Sequence, residues 1–321
     1  MGNAGFVMAV GGANMDIGAS ADQGLRSGDS TPGRVRFFPG GVARNVAHNL
    51  ALLGHAVRLV SAVGDDPPGH ALLAATRQAG VDVGACRVLP GVATAAYVSV
   101  HDASGEVLMA VNDMQVLEQL SPAALEPLAE ALSRAAALVL DCNLSEAALG
   151  WLFAQHRSTP VFVDAVSANK CRRLLPWLDR VHTIKLNRLE AQALSGLAAN
   201  SPAEVEAVAL WLHRQGVRHV VVSVGAQGLY FSEADIASAA GQQIGAHGWL
   251  AALPVGVLNT SGAGDALMAG LVHSQLLHAP LAEAVRFAGG CAALTLTTLS
   301  ANHPALSVAR VEQLLDTLPS A

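Results

Sequence analysis

Apolar residues fall along the chain in two alternating patterns. Short runs rich in β-branched residues at 6–10, 57–63, 137–141, 161–164, 183–186 and 220–224 are predicted as strands, most of them apolar on both faces. Between them lie Ala- and Leu-rich stretches with helical spacing. A strand that is apolar on both faces must be covered on both, so the pattern predicts a doubly wound α/β fold, a mainly parallel sheet with helices on each side. The helices carry their own stop signals. Residues 42–53 are amphipathic and end at Gly54, residues 122–136 follow Ser121 with Pro122 at the first position, and residues 204–215 end before Gly216.

Two segments break the alternation. Residues 18–38 are polar, rich in Gly, Ser and Asp, and end in a strand-like run at 34–38. Residues 92–100 and 107–111 flank Ser104 and Gly105 and predict a β-hairpin. Together the inserts 18–38 and 91–113 predict a small accessory sheet on a single large α/β unit spanning 1–321. Such a piece would act as a lid, because ligands of open α/β sheets bind beyond the carboxyl ends of the strands.

Composition narrows the function. Hydrophobic residues make up 52% and charged residues 14%, so a large core forms and a disordered polymer is excluded. Lys plus Arg is 19 and Asp plus Glu is 25, a net charge of −6 that argues against a nucleic-acid partner. Only Lys170 and Lys185 are lysines. No stretch approaches the roughly 20 apolar residues of a membrane span, and the first ten residues lack the basic and apolar regions of a secretory signal. The expectation is a cytoplasmic protein with no membrane contact. Cys86, Cys142, Cys171 and Cys291 lie far apart without metal-ligand spacing and are expected as free thiols.

Five motifs carry candidate chemistry. Gly262-Ala263-Gly264-Asp265 precedes a helical stretch at 266–277, where small residues and unpaired N–H groups of a first helical turn suit an anion. Asp265 beside a bound phosphate is placed to accept a proton from a hydroxyl; alternatively it complements the helix dipole. Asn14 and Asp16 follow the first strand, where a carboxylate suits a vicinal diol, or is a solvated turn residue. Gly40-Gly41 opens a helix with Asn45 one turn on, offering a donor and an acceptor, or is a plain turn. Asn187 and Glu190 follow a buried strand, as an N-cap with its reciprocal glutamate or as neighbours of a hydrated Mg²⁺. Ser223, Gly225 and Gly228 follow another strand, as a phosphate support or a turn.

Taken in chain order, Gly40-Gly41…Asn45, Gly64-Asp65-Asp66 with Gly69, Lys185-Leu186-Asn187…Glu190, Ser223-Val224-Gly225…Gly228 and Gly262-Ala263-Gly264-Asp265 resemble, over essentially the full length, the PfkB, or ribokinase-like, family of sugar and nucleoside kinases. The resemblance implies ATP and Mg²⁺, with Asp265 as catalytic base and Gly262, Ala263 and Gly264 as the anion hole. It implies sugar binding by Asn14, Asp16, Gly40, Gly41 and Asn45, an ATP side at Asn187, Ser223, Gly225 and Gly228, Glu190 on the metal, and a homodimer through the lid. Within the family, the stretch from Asp164 to Lys170 is similar to the Asp-x-Val-Ser…Lys pattern of pseudouridine kinases, as are the segments around Asn112 and Asn302. That subgroup phosphorylates the 5′-hydroxyl of pseudouridine; a ribokinase, an inosine or adenosine kinase or a fructokinase-like enzyme is the alternative. Asn143 falls near a family substrate position. Lys170 either places charge near phosphates or lies on the surface. Asn259 stands where the family often has an Asp that helps hold a monovalent cation; it removes the charge but keeps a carbonyl ligand, so the resemblance leaves weaker cation binding open and does not imply potassium activation.

Overall fold

The computed structural model describes residues 5–21, 24–25, 28–102, 107–155, 158–235 and 244–317. Its centre is an eight-stranded sheet in the order Ile244–Leu250, Leu229–Ala234, His219–Ser223, Thr183–Asn187, Val161–Asp164, Ala137–Asp141, Val7–Val10, Val57–Val60. The last six run parallel, and the first two add antiparallel at one edge. Two apolar layers cover the sheet. One packs Met8, Leu138, Leu140, Ile184 and Val220 under Leu149, Leu152 and Val208; the other packs Val7, Ala9, Val139 and Phe162 under Leu50, Leu267, Leu271 and Val285. Burial of such side chains contributes roughly 1.5–3 kcal/mol each, which is why strands apolar on both faces occupy the middle of the molecule.

A second, four-stranded sheet has the order Gly33–Gly40, Asn14–Ala21, Ala96–His101, Val107–Asp113. The two ends of the segment expected at 18–38 therefore lie in paired antiparallel strands, Asn14–Ala21 and Gly33–Gly40. Met15, Ile17 and Ala19 alternate with Asn14, Asp16 and Gly18, a period-2 pattern whose polar half resembles a loop. Asp16 lies inside a strand, not in a turn past one. The expected hairpin turn at Ser104 and Gly105 lies outside the described residues.

Three further expectations are corrected. The run 57–63 divides at buried Ser61, whose hydroxyl donates to the Gly11 carbonyl at 2.7 Å. Val57–Val60 stays in the main sheet while Ala62–Gly64 pairs with Arg87–Leu89. The helix expected at 122–136 is broken by Pro127, which has no N–H and crowds the preceding turn, leaving short helices Pro122–Leu125 and Ala129–Ser133 around a 3₁₀ turn. The strand expected from 92 begins at Ala96. Before it, Asp66 accepts from the Thr94 backbone N–H at 2.8 Å and from Gly69 at 2.8 Å, so the Gly64-Asp65-Asp66…Gly69 motif ties loops together.

The ends of Val7–Val10 and Ala137–Asp141 meet the Val42–Leu52 helix where Asp141 accepts from Gly12 and Ala43, and that helix meets Ala263–Leu276 where Asn45 donates to Asp265. Among the described residues no helix is long and apolar enough to cross a membrane.

Candidate active site

The Ala263–Leu276 helix starts three residues earlier than its spacing predicts, with Gly262 as N-cap at φ +80°. That conformation suits glycine, and a Cβ there would also overlap the Ala301 carbonyl. Asp265 consequently sits in the first helical turn, 8% exposed. Asn45 Nδ2 donates to Asp265 Oδ2 at 2.7 Å. Burial, joined by repulsion from Asp164 and Asp141, pushes the Asp265 carboxyl up to about 7, against the pull of Lys185 and the Asn45 hydrogen bond. A carboxylate poised there exchanges a proton readily at neutral pH.

Asn14, Asp16, Gly40, Gly41 and Asn45 are brought together on one side of Asp265. Asn14 Nδ2 donates to Asp16 Oδ1 at 2.6 Å, and a Cβ on Gly40 would fall on the Asp16 carboxylate. Burial raises the pKa of Asp16, opposed by Asn14 and by the Arg44 charge. Gly41 caps the Val42–Leu52 helix at φ +97°, where a Cβ would come within 2.5 Å of the Gly12 carbonyl. Asn45 does not present both amide atoms to a ligand: its Oδ1 is taken by Arg44 and its Nδ2 by Asp265.

Asn143 and Lys170 flank the same side. Lys170 Nζ donates to Asn143 Oδ1 at 2.6 Å, and burial lowers its pKa. It is partly buried and holds the Asn143 amide, whose nitrogen points at Gly12.

Two strand-terminal carboxylates support these groups: Asp141, and Asp164, which opens the Asp164–Lys170 stretch. Asp141 is fully buried and accepts N–H bonds from Gly12 at 2.8 Å, Ala43 at 3.0 Å and Asn143 at 2.9 Å, joining three candidate ligand segments. Asp164 accepts from Lys185 Nζ at 2.7 Å and from the Val166 N–H at 2.9 Å, the latter holding Val166 at φ +64°. A β-branched residue in that conformation is strained by about 1–3 kcal/mol. Lys185 is 7% exposed; burial opposes its charge, but Asp164, Glu190 and Asp265 outweigh it and keep the ammonium protonated. A Cβ on Gly264 would stand 2.8 Å from Lys185 Nζ, which places a positive charge at the helix N-terminus. The signal for both aspartates is present in the sequence: each ends an otherwise apolar strand at the edge where α/β sheets bind ligands.

On the other side of Asp265 lies a cavity of about 850 Å³. Leu250, Leu253, Val255, Ala292 and Leu296 make its apolar end, and Lys185, Ala263 and Gly264 its charged end. Asn187, Ser223, Gly225 and Gly228 line it between. Size, an apolar end and a cationic end with helix N–H groups fit a nucleotide triphosphate. Glu190 does not line it. Asn187 and Glu190 form a reciprocal capping box, with Glu190 N–H on Asn187 Oδ1 at 2.9 Å and Asn187 N–H on Glu190 Oε2 at 2.8 Å. Burial raises the pKa of Glu190, opposed by Lys185. A carboxylate already committed to a cap suits a hydrated Mg²⁺ held through water rather than a dehydrated cation. Asn259 braces its loop, donating to the Leu299 carbonyl at 3.0 Å and accepting from the Ser261 N–H at 3.0 Å.

A buried carboxylate in the first turn of a glycine-led helix, beside a nucleotide-sized cavity, fits a phosphotransferase. The chain belongs to the pfkB family of carbohydrate kinases, whose pattern it matches over residues 4–307. It is 42% identical over 311 residues to the pseudouridine kinase of Escherichia coli (strain K12), covering 97% of this chain and 96% of that one. It is 39% identical over 302 residues to the uncharacterized sugar kinase YeiI of the same strain, covering 94% of this chain and 81% of that one. Among solved structures it shares the fold of Arabidopsis thaliana ribokinase complexed with ribose and ATP, with a TM-score of 0.85, 20% identity and coverage of 97% and 99%. The family's reaction uses ATP and a divalent metal.

Proposed function

We propose that the protein transfers the γ-phosphoryl group of ATP to the 5′-hydroxyl of pseudouridine, giving pseudouridine 5′-phosphate and ADP. The observation that carries the chemistry is Asp265, a buried carboxylate in the first turn of a glycine-led helix with one oxygen held by Asn45 at 2.7 Å. Asp16 with Asn14 holds the ribose diol, and Gly40 and Gly41 let the sugar lie against backbone. The Asp265 oxygen not bonded to Asn45 takes the 5′-hydroxyl proton as that hydroxyl oxygen attacks phosphorus in line. The N–H groups of Gly262, Ala263 and Gly264, with Lys185, stabilise the charge that develops on the phosphoryl oxygens. ATP lies along Asn187, Ser223, Gly225 and Gly228, and Glu190, behind Asn187 in the capping box, is the carboxylate that would help hold Mg²⁺. Mg²⁺ supplies charge neutralisation on the phosphates when bound. Asn259 serves as a loop brace.

The nucleoside, rather than a free sugar, is supported by the small sheet. Phe38, Asp16, Tyr97 and Asn112 stand in one cross-strand row and so share a face, with one aromatic residue on each side of the diol-binding carboxylate. A base stacks on such rings at roughly 1–3 kcal/mol. The amide of Asn143 reads a hydroxyl or base edge without adding charge. Similarity to the pseudouridine kinase of E. coli at 42% identity supports the particular base. Tyr97→Ala is expected to raise KM for pseudouridine about 10-fold and leave KM for ATP unchanged; equal effects on both, or none, would remove the stacking argument.

The opposite face of that sheet carries the row Phe37, Ile17, Val98, Val111 and the row Val35, Ala19, Val100, Met109. Phe37 is 63% exposed and Val111 71%. In this reading the sheet is the lid over the sugar, and its apolar outer face pairs with a second copy of the chain. Light scattering is expected to give twice the 32.8 kDa chain mass, and Val111→Lys to give a single chain. A monomeric wild type would end the dimer reading and leave the chemistry untouched. The four free thiols suit a reducing, cytoplasmic setting.

A further inference from the structure

Resting on Asp265 as the base, we propose that Arg44 and Asn302 are positioning residues that lock the Asn45 amide in the one orientation able to hold the base for proton abstraction.

Arg44 is 2% exposed, so its guanidinium has left water. A guanidinium donates and cannot accept, and its buried N–H groups need acceptors. Those it finds are the Asn45 Oδ1, approached by Nε at 3.2 Å and by Nη2, the Asn302 Oδ1, and His48 Nδ1 at 3.3 Å. Burial and the Arg44 charge push His48 down to about 4, so its ring is neutral at pH 7 and Nδ1 is free to accept.

The consequence for Asn45 is directional. With its oxygen turned to Arg44, its Nδ2 points the opposite way and donates to Asp265 Oδ2 at 2.7 Å. A flipped amide would set N–H against N–H on one side and oxygen against carboxylate on the other. Asn302 is fixed by the same logic: Oδ1 accepts from Arg44, while Nδ2 donates to the Asn45 carbonyl at 3.0 Å and to Asn49 Oδ1 at 2.9 Å. Asn302 lies 258 residues from Arg44 in sequence. Its neighbour Ala301 presses its carbonyl on Gly262, so one loop touches both the lock and the anion-hole glycine. Base, amide and anion hole are thereby held as a unit, and misplacement of about 1 Å in such a unit costs on the order of 10²-fold in rate. A further result is that Asn45 meets substrate only as a donor, through the second hydrogen of Nδ2.

The test compares Arg44→Met and the milder Asn302→Ser with wild type. Expected for Arg44→Met is a kcat about 10- to 100-fold lower with KM for ATP unchanged, and for Asn302→Ser a smaller loss of the same kind. Arg44→Lys keeps the charge without the fork and is expected to recover only part of kcat. The second readout needs no acceptor: ¹³C NMR of the aspartate carboxyls, with the Asp265 signal assigned from Asp265→Asn. Losing the Arg44 charge and the fixed Asn45 donor moves the Asp265 titration to higher pH. Asp164, Asp141, Asp16 and Lys185 also face this site, and none is altered. Variants that lose thermal stability but keep wild-type kcat and the wild-type titration would show a merely structural brace and overturn the proposal. If wild type prefers another acceptor, the pseudouridine reading fails by itself, and the same comparisons on that acceptor still decide the lock.

Discussion

Asp265→Asn lowers kcat by about 10³-fold, within the range that general-base catalysis supplies, while binding of ATP is retained. The amide keeps the shape and still meets Asn45 Nδ2 through its oxygen, but it takes no proton. In wild type, kcat/KM rises with pH as the carboxyl ionises near 7 and then levels. The stability effect has the opposite sign. The folded carboxyl titrates near 7, above its usual value of 3.8, so the stability it contributes is full below that usual value and is lost as pH rises through 7. The substituted amide carries no such charge: the Asp265→Asn variant is expected to melt a few degrees above wild type at pH 8, with the gap closing as pH falls toward 4. Calorimetry across that window and initial rates on the same samples check both. A variant with wild-type kcat would contradict the mechanism.

Lys185→Met carries the second large effect. Its ammonium is the partner of buried Asp164 at 2.7 Å and stands at the anion-binding helix end. Removing one member of a buried pair strands the other, at a cost of about 3–5 kcal/mol. Losing a cation aimed at the developing phosphoryl charge lowers kcat by about 10²- to 10³-fold. Lys185 also holds Asp265 down, so the acid limb of the pH profile moves to higher pH. The double variant Lys185→Met with Asp164→Leu separates the two roles: urea unfolding should return much of the stability, and activity should stay low. Recovery of activity with stability would show that Lys185 acts only by balancing Asp164.

The parallel sheet is legible in the sequence because its strands are apolar on both faces, a pattern local to each run. The small sheet is half hidden, since Asn14–Ala21 alternates polar and apolar residues that also describe a loop, and Pro127 is masked by an otherwise helical composition. The glycine-led motifs show themselves by spacing, and the geometry gathers Asn14, Asp16, Gly40, Gly41 and Asn45 on one side of Asp265 and Asn187, Ser223, Gly225 and Gly228 on the other. What spacing cannot carry is a contact between distant positions. Asp141 meets Gly12 across 129 residues and Ala43 across 98, and Asn302 meets Arg44 across 258, so their roles emerge only once the chain is folded. Lys170 illustrates the same limit: its partner is Asn143, 27 residues away, whereas its sequence context suggests phosphate or solvent.

The most direct measurement is product formation from ATP, Mg²⁺ and a panel of pseudouridine, uridine, adenosine, inosine, ribose and fructose, read by rate and by ³¹P NMR of the product. The account predicts pseudouridine as the fastest acceptor, one ADP per turnover, and phosphorus coupled to the two 5′ protons of the ribose. Turnover of ribose or fructose with none of pseudouridine, or phosphate on any other hydroxyl, would contradict it.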